Sequence, residues 1–188
     1  MKKLWIIIIA ILVLAVIYVF GTYNRIVSLD EKVTATWKQV EVQYQRRFDL
    51  IPNLVGAVKG AMAQEESIFT AIADARSRYA GATTVDEKAK AASDTESALA
   101  RLLVITENYP ILKSSENVQA LMAELSGTEN RVSIARKDYN DVVNVYNLAI
   151  RRIPSSIIAS VFGFEERQYF NATAGAETAP VVDFEKKR

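Results

Sequence analysis

The sequence predicts an all-α protein: an N-terminal transmembrane helix, then an antiparallel four-helix bundle of long helices, then an irregular apolar strap. Three observations predict this architecture. The chain opens with an unbroken apolar run, its middle carries apolar stripes at alternating steps of three and four residues, and no segment alternates as a half-buried strand does. We expect residues 1–23 to form the membrane anchor, 24–154 the bundle, and 155–188 the strap and a mobile, charged tail.

The apolar run extends from Leu4 to Phe20. Three uncharged residues follow it, which brings the stretch to the roughly 20 residues that a helix needs to cross the hydrocarbon core of a bilayer. Trp5, Tyr18 and Tyr23 lie near its two ends, where amphipathic rings favour the membrane interface. We therefore expect a transmembrane helix over about residues 4–22 that contacts the lipid bilayer through Leu4 to Phe20.

Lys2 and Lys3 precede the run and also fit the charged start of a cleaved signal peptide. The run is longer than such a signal needs, and no pattern of small residues follows it, so we expect an uncleaved signal anchor. Positive charge before the span favours a cytoplasmic N-terminus, which would place the helical domain outside the cytoplasm. The cytoplasmic side is the alternative for that domain, because Arg25 and Lys32 follow the span.

The clearest helix begins near residue 115. Its apolar stripe repeats every three and four residues over about five heptads, a pattern that a strand cannot produce. One helix over residues 115–152 would be about 57 Å long, and Pro154 would end it. Gly127 leaves a kink or a break open. The stripe consists of Val118, Leu121, Leu125, Thr128, Val132, Ala135, Tyr139, Val142, Tyr146, Ala149 and Ile153.

Three earlier segments also carry helical stripes. The first, from Ile26 to Tyr44, either continues the membrane helix or starts anew. Pro52 favours a break close by, because Asp49 would cap a new helix that carries the proline in its first turn and runs to Gly81. The third covers residues 84–109. Four helices of about 20 to 40 residues bury their stripes only against one another, which predicts an antiparallel bundle with coiled-coil-like packing.

Composition excludes several classes of chemistry. The chain contains neither His nor Cys, which excludes Ser-His-Asp and Cys-His catalysis, thiolate or imidazole zinc sites, and disulfides. The formal net charge of +1 gives no basic field for nucleic acid. A carboxylate cluster of Glu107, Glu129 and Asp138 is a weak metal candidate, since a di-iron bundle site normally includes Glu-x-x-His. We expect no cofactor, no metal, no nucleic-acid partner and no enzymatic activity.

Short motifs occur along the chain from residue 23 to residue 184. They are Tyr23-Asn24, Trp37 to Val40, Arg46 to Val55, Glu107 to Pro110, Leu112-Lys113, Gly127 to Arg131, Ala135-Arg136, Asp138 to Asn140, Tyr146-Asn147, Pro154, Phe162 to Phe164, Tyr169-Phe170, Ala179-Pro180 and Asp183-Phe184. In order and spacing this set resembles the LemA family. The resemblance implies a bacterial protein of the cytoplasmic membrane with one N-terminal span and a helical bundle, and it supplies no reaction. Members are often described with a small N-terminus outside, opposite to the charge-based expectation.

Arg46-Arg47-Phe48-Asp49 places two guanidinium groups and a carboxylate at the expected helix junction. A functional interpretation is a clamp for an anion or a partner's carboxylate, since arginine presents a bidentate fork. In the structural interpretation, which we favour, Arg47 pairs with Asp49, or with Glu129 or Asp138 of the long helix, and holds the corner together.

Tyr139-Asn140 and Tyr146-Asn147 are seven residues apart and therefore share one face of the long helix. We expect the two rings to pack in the core with their hydroxyls bonded to another helix, and each Asn to lie beside the seam. A polar pocket built from the same groups is the alternative.

The segment from Ser156 to Phe170 follows the last long helix with many apolar side chains, one glycine and few helix cues. We expect it to fold back over one end or groove of the bundle. The alternative leaves part of it free for another subunit or for the membrane surface. Phe162, Phe164, Tyr169 and Phe170 are its candidate contact residues.

These observations favour a non-enzymatic scaffold or interaction module, as a homo-oligomer or in complex with other membrane proteins. A membrane protease is one such partner, suggested only by association with the family. The alternative is a ligand sensor or a carboxylate-dependent hydrolase that uses Arg, Asp, Glu and Tyr residues of the bundle. A third possibility is membrane shaping by crowded bundles. A sensor or enzyme needs a concave pocket where several polar groups converge, whereas a scaffold needs those groups paired locally.

Overall fold

The computed structural model describes residues 2–170, and within that range the chain is helical with no strand. The all-α prediction is therefore confirmed over the described residues. The charged tail predicted for the C-terminus, with Gly175 to Pro180 and Lys186 to Arg188, lies outside them. The helices are α1 (Lys2–Lys59), α2 (Glu66–Gly81), α3 (Val85–Thr106), α4 (Pro110–Lys113), α5 (Glu116–Arg151) and α6 (Ser155–Phe162).

α1 is one helix of 58 residues, about 87 Å long, and its two parts differ. Residues 2–18 are all exposed, and this part of α1 is apolar and long enough to cross a membrane. From Ile26 onward, α1 carries a stripe of buried residues: Ile26, Val33, Thr36, Val40, Tyr44, Arg47, Phe48, Ile51, Leu54 and Val58. The first helix of the packed region is therefore the continuation of the apolar run.

The break predicted before Pro52 is wrong, because α1 continues through this proline. Proline in a helix interior removes one backbone hydrogen bond and costs about 3 kcal/mol. Pro52 itself is exposed, while Phe48, Ile51 and Leu54 of the same two turns are buried in the core. Burial of such side chains contributes about 1.5–3 kcal/mol each, which offsets the proline. Asp49 is accordingly a residue of the helix interior and not a cap.

The chain turns after α1 instead, at residues 60–65, so the helix predicted from Asp49 to Gly81 is divided in two. The carbonyl of Val58 accepts from the backbone N–H of Met62 (3.1 Å) and ends α1, and the Met62 side chain is fully buried. Further along the chain, α5 is helical from Glu116 to Arg151, so Gly127 does not break it.

α5 lies antiparallel to α1. Arg47 contacts Glu129 and Trp37 contacts Tyr139, so residue numbers increase along α1 in the direction in which they decrease along α5. The buried residues of α5 follow the predicted stripe at most positions: Val118, Leu125, Thr128, Val132, Tyr139, Val143, Tyr146, Asn147 and Ile150. These two helices form the main packed pair of the molecule.

α2 and α3 form a helical hairpin. Thr84 caps α3 by accepting from the Glu87 N–H (3.2 Å), and the Glu87 carboxylate accepts from the Thr84 N–H in return (3.1 Å). Tyr79 of α2 packs on α1, with its ring centroid 4.7 Å from that of Phe48 and 5.3 Å from that of Tyr44. The four long helices α1, α2, α3 and α5 share one buried core.

The sequence predicted an irregular C-terminal segment. This prediction is wrong for Ser155–Phe162, which form α6. Gly163 ends this helix in the left-handed conformation (φ 74°) that glycine adopts without strain. The Phe164 N–H then donates to the Ala159 carbonyl (2.9 Å) and completes the helix end. Residues 164–170 are non-helical and run back along α5; we call this segment the strap.

Candidate functional site

Four polar side chains on α5 hold the strap: Tyr139, Asn140, Tyr146 and Asn147. We call them the Tyr–Asn ladder. The side-chain amide of Asn147 donates to the Arg167 carbonyl and accepts from the Arg167 N–H, both at 2.9 Å. A primary amide carries a donor and an acceptor side by side. Asn147 therefore pairs with both backbone groups of one strap residue, as a residue on a neighbouring strand would.

The same arrangement recurs one heptad earlier on α5. Asn140 donates to the Phe170 carbonyl (2.9 Å) and accepts from the Phe170 N–H (2.8 Å). Seven helical residues rise about 10.5 Å, and three extended residues span about 10 Å. One heptad of α5 therefore matches a three-residue step of the strap, and the two segments run antiparallel.

The ladder tyrosines donate to two other strap carbonyls. The Tyr146 hydroxyl donates to Glu165 (2.9 Å) and the Tyr139 hydroxyl to Gln168 (2.8 Å). The expectation that these hydroxyls bond another helix is wrong, because the strap backbone occupies that position. Burial raises the pKa of both phenols, so the hydroxyls remain protonated and continue to donate at neutral pH.

Two strap side chains add specific contacts. The buried Phe170 ring packs parallel to Tyr44, with centroids 6.4 Å apart, and the Arg136 guanidinium lies 4.7 Å from its centroid. Arg167 donates twice to the Asp30 carboxylate of α1, at 2.7 and 2.8 Å. The strap thus joins α5 to the part of α1 that follows the apolar run.

The remaining aromatic candidates lie at different places. Phe162 and Phe164 both contact Tyr23 of α1, with ring centroids 4.8 and 5.7 Å apart. The Tyr169 side chain is exposed, and its hydroxyl lies 3.5 Å from the Asn144 side-chain oxygen. These three residues therefore do not converge with Phe170 on one site.

A second polar cluster, which we call the ionic layer, joins three helices; Arg47 is buried, and the Glu129, Arg136 and Glu96 side chains are partly exposed. Arg47 of α1 forms an ion pair with Glu129 of α5. Arg136 of α5 donates through Nε to the Tyr44 hydroxyl (2.7 Å) and pairs with Glu96 of α3. Burial raises the pKa of Glu96, and the Arg136 charge partly opposes this effect.

The charged side chains of Arg46, Arg47 and Asp49 do not converge on one point. Arg46 and Asp49 are exposed, whereas Arg47 is only 6% exposed. Consecutive helical residues point about 100° apart, so the two guanidinium groups face different surroundings. The Asp49 carboxylate accepts from the Gln45 amide of its own helix (2.7 Å). Of the partners considered for Arg47, Glu129 is the one that it contacts.

Sequence reasoning assigned no role to Arg136, Glu96, Asp30 or Arg167. A charged residue inside an apolar stripe is the available signal for Arg136 and for Glu96, which lies beside the buried Thr95. The Asp30–Arg167 pair has no local signal, because its members are 137 positions apart.

The acidic residues do not form a metal site in the region the structure describes. Among residues 2–170, no three acidic side chains lie close enough together to hold a metal ion. Glu107 and Asp138 are exposed, and Glu129 is engaged by Arg47. The ladder is suited to holding an extended main chain, and the ionic layer is suited to fixing three helices.

A comparison with protein-family models identifies the family. The model described as the LemA family matches residues 36–184. The chain belongs to the LemA family. The prediction made from the motifs is thus confirmed. In this LemA protein the matched region includes the packed part of α1 from residue 36 onward, the ionic layer, the Tyr–Asn ladder and the strap.

Three relatives of this LemA protein are named as magnetosome proteins. MamQ 1 and MamQ 2 of Paramagnetospirillum magneticum and MamQ of Magnetospirillum gryphiswaldense are each 27% identical to it. Each match covers 85% of this chain and 68% of the relative. The similarity therefore includes most of the helical region.

Proposed function

We propose that this LemA-family protein is a non-enzymatic interaction module that one N-terminal helix anchors in the membrane. The main support for the proposal is that α1 has an exposed apolar part and a packed part. Residues 4–18 expose apolar side chains on every side of the helix, and the same helix then contributes to the packed core. Such a bare apolar surface is stable in hydrocarbon and unfavourable in water.

The pairing of the polar groups supports a non-enzymatic role. Groups able to exchange protons, such as Glu96 and Glu129, are engaged by arginines of the ionic layer. The amides and hydroxyls of the Tyr–Asn ladder are engaged by the strap backbone. The names of the relatives assign them to the magnetosome and name no reaction.

The proposed working form is a homo-oligomer or a complex with other membrane proteins, for example a protease, in the bacterial cytoplasmic membrane. We propose that the helical part lies outside the cytoplasm. Anchoring raises the effective concentration of weakly binding neighbours. Val42 and Ile134, which are 49% and 53% exposed, line one groove of about 440 Å³ between α1 and α5. This groove is the face on which we expect copies to meet.

The absence of cysteine allows a direct test of self-association. Val42→Cys and Ile134→Cys each introduce a single thiol, and a thiol-specific crosslinker applied to native membranes should capture dimers. Ile111→Cys is the matched control, since Ile111 is 78% exposed on α4, away from this groove. Failure of both groove variants to crosslink, together with extraction as a monomer without a co-purifying protein, would contradict the proposal. A reporter fused after Arg188 determines the side of the membrane.

A ligand sensor or carboxylate-dependent hydrolase is the second candidate. One observation favours it: the Tyr79 hydroxyl is buried without a hydrogen-bond partner among the described residues. It lies beside a groove of about 480 Å³ that Glu41 and Lys88 also line, and a polar ligand there would satisfy the hydroxyl. Loss of cellular function in Tyr79→Phe or Arg47→Ala, with folding and assembly retained, would favour this candidate over the scaffold.

A further inference from the structure

α6 carries apolar side chains that the rest of the described chain leaves uncovered. Ile157 and Val161, one helical turn apart, are 64% and 75% exposed. Ile153, just before the helix, is 85% exposed, and Phe162 at its end is 52% exposed. We call these four residues the α6 patch. A set of large apolar side chains exposed together indicates an interaction surface.

Both ends of α6 lie beside the end of the apolar run of α1. At one end, the Phe162 ring contacts Tyr23 (4.8 Å between centroids). At the other end, Ile153 lines a crevice of about 490 Å³ together with Tyr18 and Thr22. Tyr18 and Tyr23 are only about 7.5 Å apart along the axis of α1. α6 therefore lies across α1, at the level where the apolar run ends.

We propose that the α6 patch lies in the interface of the bilayer that α1 crosses, as a second point of attachment; this inference rests on the membrane anchor proposed above. Ile158 and Ala159 are buried against the other helices, and at about 100° per residue Ile157 and Val161 lie on the opposite side of α6. A helix at headgroup depth inserts its apolar side among the lipid chains. The proximity of the patch to the apolar run favours lipid over a protein partner.

The arginines near the end of the apolar run fit an anionic lipid surface. Arg25 and Arg152 line the crevice at the end of the apolar run, both are exposed, and neither forms an ion pair within residues 2–170. Arg151 is also exposed and lies 3.5 Å from Glu166. Guanidinium groups at this depth are positioned for lipid phosphates, which they bind with charge-assisted hydrogen bonds.

A second attachment point changes how the helical part stands on the membrane. A single span leaves the tilt and the rotation of its helix to interfacial anchors and packing. With α6 in the interface, α1 is held at two places, and the strap and α5 are held with it. The rotation of α1 about its own axis is then fixed relative to the bilayer.

Three single-cysteine variants of the full chain test this inference: Ile157→Cys in the patch, Leu12→Cys in the apolar run and Ile111→Cys as the exposed control. Each is labelled with an environment-sensitive fluorophore and reconstituted in vesicles of phosphatidylcholine and phosphatidylglycerol. Lipids with a nitroxide near the headgroup, or deep in the acyl chain, serve as quenchers in parallel samples. We expect the label at residue 157 to lose most of its fluorescence and to shift to the blue, whereas the label at 111 does neither.

The other outcomes separate the two proposals. Quenching at residue 12 without quenching at 157 overturns the interfacial placement of α6 and leaves the anchor in place. A blue-shifted label at 157 that the nitroxide lipid does not quench assigns the patch to a protein surface and also overturns it. A label at residue 12 that lipid-borne nitroxides quench at no depth overturns the anchor and, with it, the inference. Val161→Cys repeats the comparison with an independent label.

Discussion

The Tyr–Asn ladder and the ionic layer are both polar clusters on α5, but they bind different kinds of partner. The ladder binds main-chain N–H and carbonyl groups of the strap. The ionic layer binds side chains of α1 and α3, in the pairs Arg47–Glu129 and Arg136–Glu96. One cluster therefore depends on backbone geometry and the other on matched charges.

This difference determines how each cluster tolerates change. A strap residue can be replaced without loss of the ladder bonds, provided that the chain stays extended and the residue keeps its N–H. Replacement of an ionic-layer residue is more costly, because it leaves a buried or partly buried charge without its partner. Disruption of the ionic layer should therefore destabilise the whole helical assembly, whereas disruption of the ladder should release the strap alone.

The largest effect is expected from Arg136→Met, which keeps an apolar stem and removes the donors to Glu96 and Tyr44. Removal of one partner from a buried pair costs about 3–5 kcal/mol. The Arg136 and Glu96 side chains are 22% and 23% exposed, so we expect the lower end of that range. Denaturant unfolding of the full chain in mild detergent measures it. The exposed Arg131→Met on the same helix is the control, and an equal loss in both variants would contradict the prediction.

Asn147→Ala should have a smaller and more local effect. It leaves the N–H and carbonyl of Arg167 without their partner, at about 1–3 kcal/mol, and this should free the strap while the core stays folded. Faster hydrogen exchange at the strap amides, with an unchanged unfolding midpoint, is the expected result. Asn117→Ala, at an exposed asparagine near the start of α5 and far from the strap, should leave strap exchange unchanged. Loss of the core in Asn147→Ala would show that the strap supports the whole assembly.

Tyr146→Phe removes only the hydroxyl that donates to the Glu165 carbonyl. A single neutral hydrogen bond contributes about 1 kcal/mol, so exchange in the strap should accelerate less than in Asn147→Ala. The same exchange measurement ranks the two variants. An effect of Tyr146→Phe at least as large as that of Asn147→Ala would contradict the view that the paired amide contacts dominate the ladder.

The smallest effect is expected from pH, and it should have opposite signs at two carboxylates. Burial raises the pKa of Glu96 above 4.5, so the folded state binds the proton of this carboxyl more tightly than the unfolded state does. The stability gained from this protonation is lost as pH rises through the raised pKa. Burial also acts on Glu41, but hydrogen bonds and charges from Lys38 and Lys88 outweigh it and lower the pKa. That contribution is lost as pH falls below 4.5.

Glu96→Gln should therefore make the free energy of unfolding less dependent on pH above the ordinary glutamate pKa. Glu41→Gln should do the same below that pKa. Unfolding in detergent between about pH 2 and pH 8 measures both profiles. Parallel profiles for the two variants would contradict the assigned directions.

The sequence predicted the helices and the members of the ladder because both follow from periodicity. Tyr139 and Tyr146 are one heptad apart and lie on one face of α5 in the structure. The ladder's partner was not predictable, because nothing local links a helix face to the main chain of a segment about twenty residues later.

Pro52 misled the prediction, since its local cost is visible in the sequence while the burial of Phe48 and Leu54 that offsets it is a property of the fold. The Glu96–Arg136 pair depends on the packing of α3 against α5, which no single segment encodes.

The continuity of α1 has a mechanical consequence. No loop separates the apolar run from the packed part of the helix, so a change in the length of one is transmitted to the other. Insertion of a single residue before Tyr23 would turn everything beyond it by about 100° and lift it by about 1.5 Å relative to the bilayer. The length of the membrane segment thus sets the direction in which the outer surfaces of the protein face along the membrane plane.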